Sequence, residues 1–505
     1  MPARRPSSPK PSPVSTIPDG RRRVAVVGSG VAGLSAAHLL ARKCDVSIFE
    51  REATVGMDAH SLDSHGARMD IPLRVFSESY YPNLTNLYKL VGVKYRIADY
   101  SFCCVGGAFK DRAAAYFRYV NVFVRGMALP LPALFHARQL AKCARLAYSF
   151  AHFLKHTPSH LEADPEGSAA MSIGEFLAHH GYSKEFARDL LYPMLSVVCT
   201  CSYAAVDAYP APIIVDYFCN KYGLSGAQCR AYEGTRDVVA RLTAPVSRVV
   251  TSATIVRVEA AGAGKPAAGK QLPSSQCKLI WRDGTTGHEH TECFDEVVLA
   301  MQANASHKVL VTPHTIQSES LAQVPHERKR VVLHTDDSVM PRNRSDWSPL
   351  NIFVDPTADA ASVTVWMNQI DSGLRNELTS TVFQTWNPIV EPKKSTVLAD
   401  YAFERPVVTA ASMRAISRLQ EAQGHGHVWF VGAYSRYSMP LLENGVKSAM
   451  AVARALGVDT SDVEFDEEAN RLTKGSATLP SVLASLLLLA LVVALTVLHA
   501  VYYSE

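Results

Sequence analysis

Six residues near the start, Gly28-Ser-Gly30-Val-Ala-Gly33, have the types and spacing needed to hold a dinucleotide. Each glycine would serve differently, with Gly28 making a tight turn, Gly30 letting the backbone approach a pyrophosphate, and Gly33 allowing close helix–strand packing. The N–H groups of a helix opening at Val31 and Ala32, together with its dipole, would then face the phosphate charge. Glu50 follows Gly28 by 22 residues, at the distance of a carboxylate that accepts hydrogen bonds from an adenosine ribose. Glu50 and its neighbour Arg51 do not by themselves separate FAD from NAD.

The elements required to position these residues are legible around them. Residues 24–27 (VAVV) have the continuous apolar character of a strand buried in a parallel sheet. Leu34, Ala36, Ala37, Leu39 and Leu40 continue at helical spacing, and Val46-Ser-Ile-Phe49 forms a second apolar strand ending at Glu50. A second glycine-rich stretch, Gly262-Ala-Gly264-Lys-Pro266, follows a strand but opens no helix; it is expected as a surface hairpin connection.

Several further segments stand in a definite order. After the acid come Gly56-Met57-Asp-Ala-His60, then Arg68-Met-Asp-Ile-Pro-Leu-Arg74 and Tyr80-Tyr-Pro-Asn-Leu. Late in the chain stand Val428-Trp-Phe-Val-Gly432-Ala-Tyr434 and Pro440-Leu-Leu-Glu443-Asn-Gly445. This order resembles the flavin amine oxidase superfamily, and more closely its fungal and bacterial branch of amine-oxidase-like NAD(P)/FAD-binding proteins. Val331-Val-Leu-His-Thr-Asp336, Met340-Pro, Trp366-Met-Asn368 and Trp386-Asn-Pro388 resemble that branch too, so the likeness covers about residues 23–457.

The resemblance implies an α/β fold: a Rossmann-type FAD-binding domain of the amine oxidase/glutathione reductase-like kind with an α+β substrate domain. It implies cofactor contacts at Gly28, Gly30, Val31, Ala32, Gly33, Glu50, Arg51, Gly56, Met57, His60, Arg74, Gly432 and Glu443. Ile255 joins them, because the strand read over Val249–Val258 would lie against the adenine. The FAD-binding domain is expected from 23–101, 228–304 and 396–458, and the substrate domain from 102–227 and 305–395. Three departures from the family pattern refine this. Met57 replaces a second glycine, no cysteine lies near Gly432 for a thioether link, and no second dinucleotide motif is present. FAD is therefore expected to be tight and noncovalent.

Composition narrows the function class. The chain has 505 residues, 48% hydrophobic and 19% charged, and a formal charge of +4. That near balance does not suit a nucleic-acid binder. Ten cysteines form no disulfide framework; the close pairs Cys103-Cys104 and Cys199-x-Cys201 lack a second half at zinc spacing, so no metal site is expected. Residues 1–22 are rich in Pro and Ser and are expected to stay disordered.

From Leu479 to Tyr503 no charged residue occurs. Twenty-five residues at about 1.5 Å give roughly 37 Å of helix, against a hydrocarbon core of about 30 Å. A single transmembrane tail anchor is expected there, after a linker at 459–478, with the catalytic part facing the cytosol. The sequons at Asn83, Asn304 and Asn343 would then be chance matches. Residues 110–156 interleave eight Lys/Arg with aromatic residues, which suits either a lipid-facing surface or an ordinary helix pair with a solvated basic side.

His60, Lys329 and His334 stand beside apolar strands, where such residues are usually structural. In flavin chemistry the cofactor carries most of the reaction, so no acid–base pair is required, and the sequence names no catalytic residue. Three functions remain open: a flavoenzyme acting on a hydrophobic substrate, by resemblance a fatty-acyl or other lipid; an amine oxidase using Tyr434 and Tyr437; or a membrane-bound flavoprotein scaffold.

Overall fold

The apolar runs near the N-terminus form the centre of a five-stranded parallel sheet. The computed structural model describes residues 20–106, 115–124, 127–132, 139–220, 227–263 and 276–465. The sheet order is Arg248–Val250, Asp45–Phe49, Arg23–Val27, Glu296–Leu299, Val428–Phe430. Val24 to Val27 are buried almost completely, so both faces of the sheet must be covered. Helix Val31–Leu40 covers one face together with Leu442–Ala455, which packs along it. The other face meets a four-stranded sheet, in the order Glu289–Phe294, Cys277–Asp283, Ala253–Glu259, Leu310–Val311. Phe49 lies 5.8 Å from both Trp281 and Phe294 across that junction.

The expected strand Val249–Val258 is two strands in two sheets. The chain turns at Ser252, whose φ of 53° breaks the extended run. Strands Ala253–Glu259 and Cys277–Asp283 pair antiparallel, as a hairpin connection requires; residues 264–275 between them lie outside the described residues.

A second body is built on an eight-stranded sheet. Its order is Val397–Pro406, His326–His334, Phe383–Trp386, Ser362–Trp366, Leu350–Val354, Phe102–Gly106, Ala115–Val124, Met127–Pro132. Helices between Leu140 and Asn220 share its core; Phe153, Phe176, Phe186 and Leu195 are fully buried there. Pro193 does not end the helix around it. A wide turn over Ala187–Leu191 leads into Tyr192–Cys199, so Pro193 falls in a first turn that needs no N–H from it.

Two boundaries move. Strand Val397–Pro406 pairs with His326–His334 and so belongs to the second sheet, not the dinucleotide domain. Leu310–Val311 pairs with Ala253–Glu259 and so leaves the substrate domain. The reason is that strand pairing, invisible in composition, decides membership.

The two bodies are joined by buried polar bonds. Gln384 accepts from Leu73 N (2.8 Å) and Trp386 Nε1 (3.0 Å), and donates to Asp70 O (3.1 Å). Arg230 is paired with Asp371 (3.0 Å) and Asp70 (3.4 Å). All ten cysteines are free thiols. Among the described residues no helix is long and apolar enough to cross a membrane. Of the tail expected over 1–22 and the linker expected over 459–478, residues 1–19 and 466–478 lie outside the described residues, as does the anchor 479–503, whereas Val463 of the linker is buried.

Candidate cofactor and substrate site

The glycine turn has the shape its sequence implies. Gly28 sits at φ +97°, and a Cβ there would lie 2.9 Å from the carbonyl oxygen of Ala300. A Cβ on Gly33 would lie 2.0 Å from the Gly28 carbonyl, closer than any substitution permits. Gly30 differs, because a Cβ there meets nothing within 4 Å. Beside that open space helix Val31–Leu40 begins with no side-chain cap. Its first-turn N–H groups therefore face the opening, and a buried helix end of this kind needs an acceptor. Val31 and Ala32 are buried against Gly445, whose missing side chain admits Val31 Cγ1 at a virtual 2.9 Å.

Glu50 closes the turn from the side. Its carboxylate accepts from Ser29 N (3.0 Å), Ser29 Oγ and Glu52 N (2.9 Å). A carboxylate has about four acceptor positions, so one remains for a ribose hydroxyl. Ser29 Oγ also accepts from Gly56 N (2.8 Å), which brings Gly56 to the same turn at φ +73°. Met57 turns its side chain into the core, while its carbonyl accepts from Arg74 Nη1 at 3.0 Å. Ile255 is half-buried on the strand that starts beside Glu50, where Ala253 N donates to the Glu50 carbonyl at 2.8 Å.

Two expected contacts are not assembled here. Arg51 is exposed and paired with Glu52 at 3.0 Å. Glu443 is buried at the start of helix Pro82–Leu90, where its carboxylate accepts from Asn83 N (3.1 Å), Asn83 Nδ2 (2.5 Å) and Leu84 N (3.0 Å). Free first-turn N–H groups explain this use of the acid. The same bonds bury the Asn83 sequon. Gly432 is held at its N–H by Ser448 Oγ (3.0 Å), in the turn after the fifth strand of the parallel sheet.

Beyond Gly56 the first body meets the second sheet at His60. His60 meets Tyr401 at a tilt, 4.6 Å between ring centres, and Phe403 edge to face at 5.3 Å, and burial lowers its pKa. Further in lie Tyr81, Tyr100, Tyr217 and Arg405, which retain some accessible surface. Burial nevertheless raises the three phenols and pulls Arg405 down to about 10. Cys199 stands among these groups, within electrostatic reach of Tyr81, Tyr217 and Arg405, and its thiol contacts Met439 at 3.1 Å.

Sequence reasoning passes over Tyr401, Phe403 and Arg405. Their alternation along Tyr401-Ala-Phe403-Glu-Arg405, half-buried against exposed, is the available signal for one shared strand face.

His334 is structural. It is fully buried, its Nδ1 accepts from Asp336 N (3.2 Å), and its Nε2 therefore donates to Thr385 Oγ1 (2.7 Å). Desolvation lowers its pKa from 6.5 to about 4. The unfolded chain then binds the extra proton between those values, so stability is full above pH 6.5 and falls as pH drops toward 4. The loss should reach at most about 3 kcal/mol. Urea unfolding of His334→Gln should show less of this acid loss; an unchanged pH slope would refute the assignment. Lys329 lies on the same face as Phe403 and pairs with Glu327 at 3.2 Å.

The family model of an NAD(P)-binding Rossmann-like domain matches residues 26–90. No curated protein matches the sequence. Among solved structures, a protein of Exiguobacterium sp. 255-15 assigned as a protoporphyrinogen oxidase is similar, with a TM-score of 0.57 and 13% identity over 86% of this chain and 98% of that one. Cyclohexylamine oxidase of Brevibacterium oxydans IH-35A gives 0.54 and 13%, over 86% and 99%. The CLA-producing fatty acid isomerase of P. acnes gives 0.55 and 13%, over 88% and 100%. The chain thus carries a Rossmann-like dinucleotide-binding domain within the fold of flavin amine oxidase-like proteins.

Proposed function

We propose that the protein is an FAD-dependent oxidoreductase acting on a hydrophobic substrate, held at a membrane by residues 479–503. The observation that carries the cofactor assignment is the uncapped helix N-terminus facing the open space over Gly30, with Glu50 alongside. Backbone N–H groups at Gly30–Ala32 would take the pyrophosphate, and the free acceptor position of Glu50 the ribose. Gly56 and the Met57 carbonyl would line the same path, with Arg74 holding that carbonyl in place. FAD, when bound, supplies the hydride-accepting chemistry. The protein's part is to orient the substrate and exclude water, and the aromatic walls at Tyr81, Tyr100, Tyr217 and Trp386 suit both.

An amine oxidase reading is less well supported. Of the two tyrosines its late segment offers, Tyr434 is 3% exposed and Tyr437 is 56% exposed.

The full-length protein, purified in detergent, should be yellow, and acid precipitation should release the flavin to the supernatant. Flavin retained in the pellet would overturn noncovalent binding. A colourless protein that binds NAD(P)H would overturn the FAD assignment. Anaerobic reduction by lipids, amines and NAD(P)H would then separate the substrate classes, and no reduction by any of them would favour a scaffold.

A further inference from the structure

Among the described residues, Arg74 and Arg405 have no ion-pair partner. Arg405 follows Tyr401 and Phe403 on the inner face of strand Val397–Pro406, 5.8 Å from the Trp386 ring. Its Nε is buried without a hydrogen-bond acceptor. Glu327 sits directly across the ladder, where a salt bridge would be simplest. Its carboxylate instead accepts from Ser202 N (2.9 Å), Ser202 Oγ (2.7 Å) and Lys329 Nζ (3.2 Å). Arg74, a cation within electrostatic reach of Arg405, donates only to the Met57 and Pro72 carbonyls, at 3.0 and 3.2 Å. Among the described residues neither guanidinium has a carboxylate within ion-pair distance.

Burying a cation without a partner is costly, and two within electrostatic reach of each other cost more. An arriving anion would relieve both. The cradle for a cofactor diphosphate is built at Gly28–Gly33 from backbone groups, and Arg74 borders it through Met57. Arg405 is within electrostatic reach of Arg74 and of Cys199, which in turn reaches the phenols Tyr81 and Tyr217. Its surroundings are therefore largely aromatic, with the Trp386 ring 5.8 Å away.

We infer that Arg405 anchors a carboxylate on the substrate, so that the site takes an apolar monocarboxylic acid and rejects an amine. This rests on the proposed flavoenzyme function and specifies the charge of its substrate. A guanidinium presents two parallel N–H donors to a carboxylate. A protonated amine would meet two like charges, while the nearby Glu327 carboxylate is already taken up by Ser202 and Lys329.

The test compares octanoate, octylamine and 1-octanol, titrated by calorimetry into full-length holoprotein, with flavin absorbance recorded on each sample. Octanoate should bind roughly ten- to hundred-fold tighter than octanol, the range of a charge-assisted hydrogen bond. Arg405→Met should lose that preference while keeping octanol binding and flavin, and Arg405→Lys should keep part of it. Three results would overturn the inference: octylamine binding best, an unchanged octanoate preference in Arg405→Met, or flavin lost from both Arg405 variants, which would give Arg405 to the cofactor. Wild-type protein without flavin would instead refute the flavoenzyme reading. Calorimetry would still report the carboxylate preference in that case.

Discussion

Gly30→Val should fold as the wild type does and carry no flavin. The structure separates these two outcomes because the space beside Gly30 is empty of protein and its backbone is ordinary. A Cβ there meets nothing within 4 Å, and φ −65° with ψ 178° suits any residue. The branched side chain would therefore cost the fold little and fill the one space a pyrophosphate can use. Gly33→Val is the control of opposite sign. Its Cβ would press on the Gly28 carbonyl at 2.0 Å, a backbone atom that cannot step aside. That variant should lose at least about 3 kcal/mol of stability or fail to fold. Glu50→Ala should fall between them, since it loses a charge-assisted bond to the cofactor worth about 1.5–3 kcal/mol, roughly ten- to 150-fold in affinity. It also releases Ser29 and Glu52, so its melting temperature should drop even without cofactor. Thermal unfolding and flavin absorbance on the three proteins decide the matter. Full flavin occupancy in Gly30→Val would place the cofactor elsewhere.

The second large effect is expected from removing residues 476–505. The full chain should resist carbonate extraction, whereas the 1–475 fragment should be soluble or released by salt. Attraction of basic residues to headgroups gives only about 1 kcal/mol per Lys/Arg and is screened, so no surface patch could substitute for a 25-residue uncharged segment. Protease added to intact organelles should degrade the folded part under the cytosol-facing orientation expected from the sequence. A carbonate-resistant 1–475 fragment would require a second inserting element, with 110–156 the first place to look. Protection from protease would reverse the topology.

The parts of this fold that can be read from sequence are those whose partners are close in the chain. The first strand, glycine turn, helix and second strand lie within residues 23–50, and each constrains the next. The eight-stranded sheet is not legible, because Leu350–Val354 pairs in parallel with Phe102–Gly106 across more than 200 residues and no local pattern encodes that. Glu443 misleads for a related reason. As an acid within a family motif it points toward the cofactor, while the structure uses it on a helix start 360 residues earlier. Arg405 shows the reverse. Its strand alternation is visible, but the absence of a counter-ion is a property of three dimensions only.

The strand order of the parallel sheet also has a consequence for synthesis on the ribosome. Arg23–Val27 gains one neighbour as soon as residue 49 has emerged, but its other neighbour ends at residue 299. At roughly 5–20 residues per second, the intervening 250 or so residues take on the order of 12–50 s. For that interval the apolar edge Val-Ala-Val-Val has no protein partner, and an unpaired edge of this kind invites pairing with another nascent chain. Chains stalled before residue 296 should therefore aggregate unless a chaperone holds that edge, whereas chains stalled after residue 455, with all five strands and the covering helix made, should not.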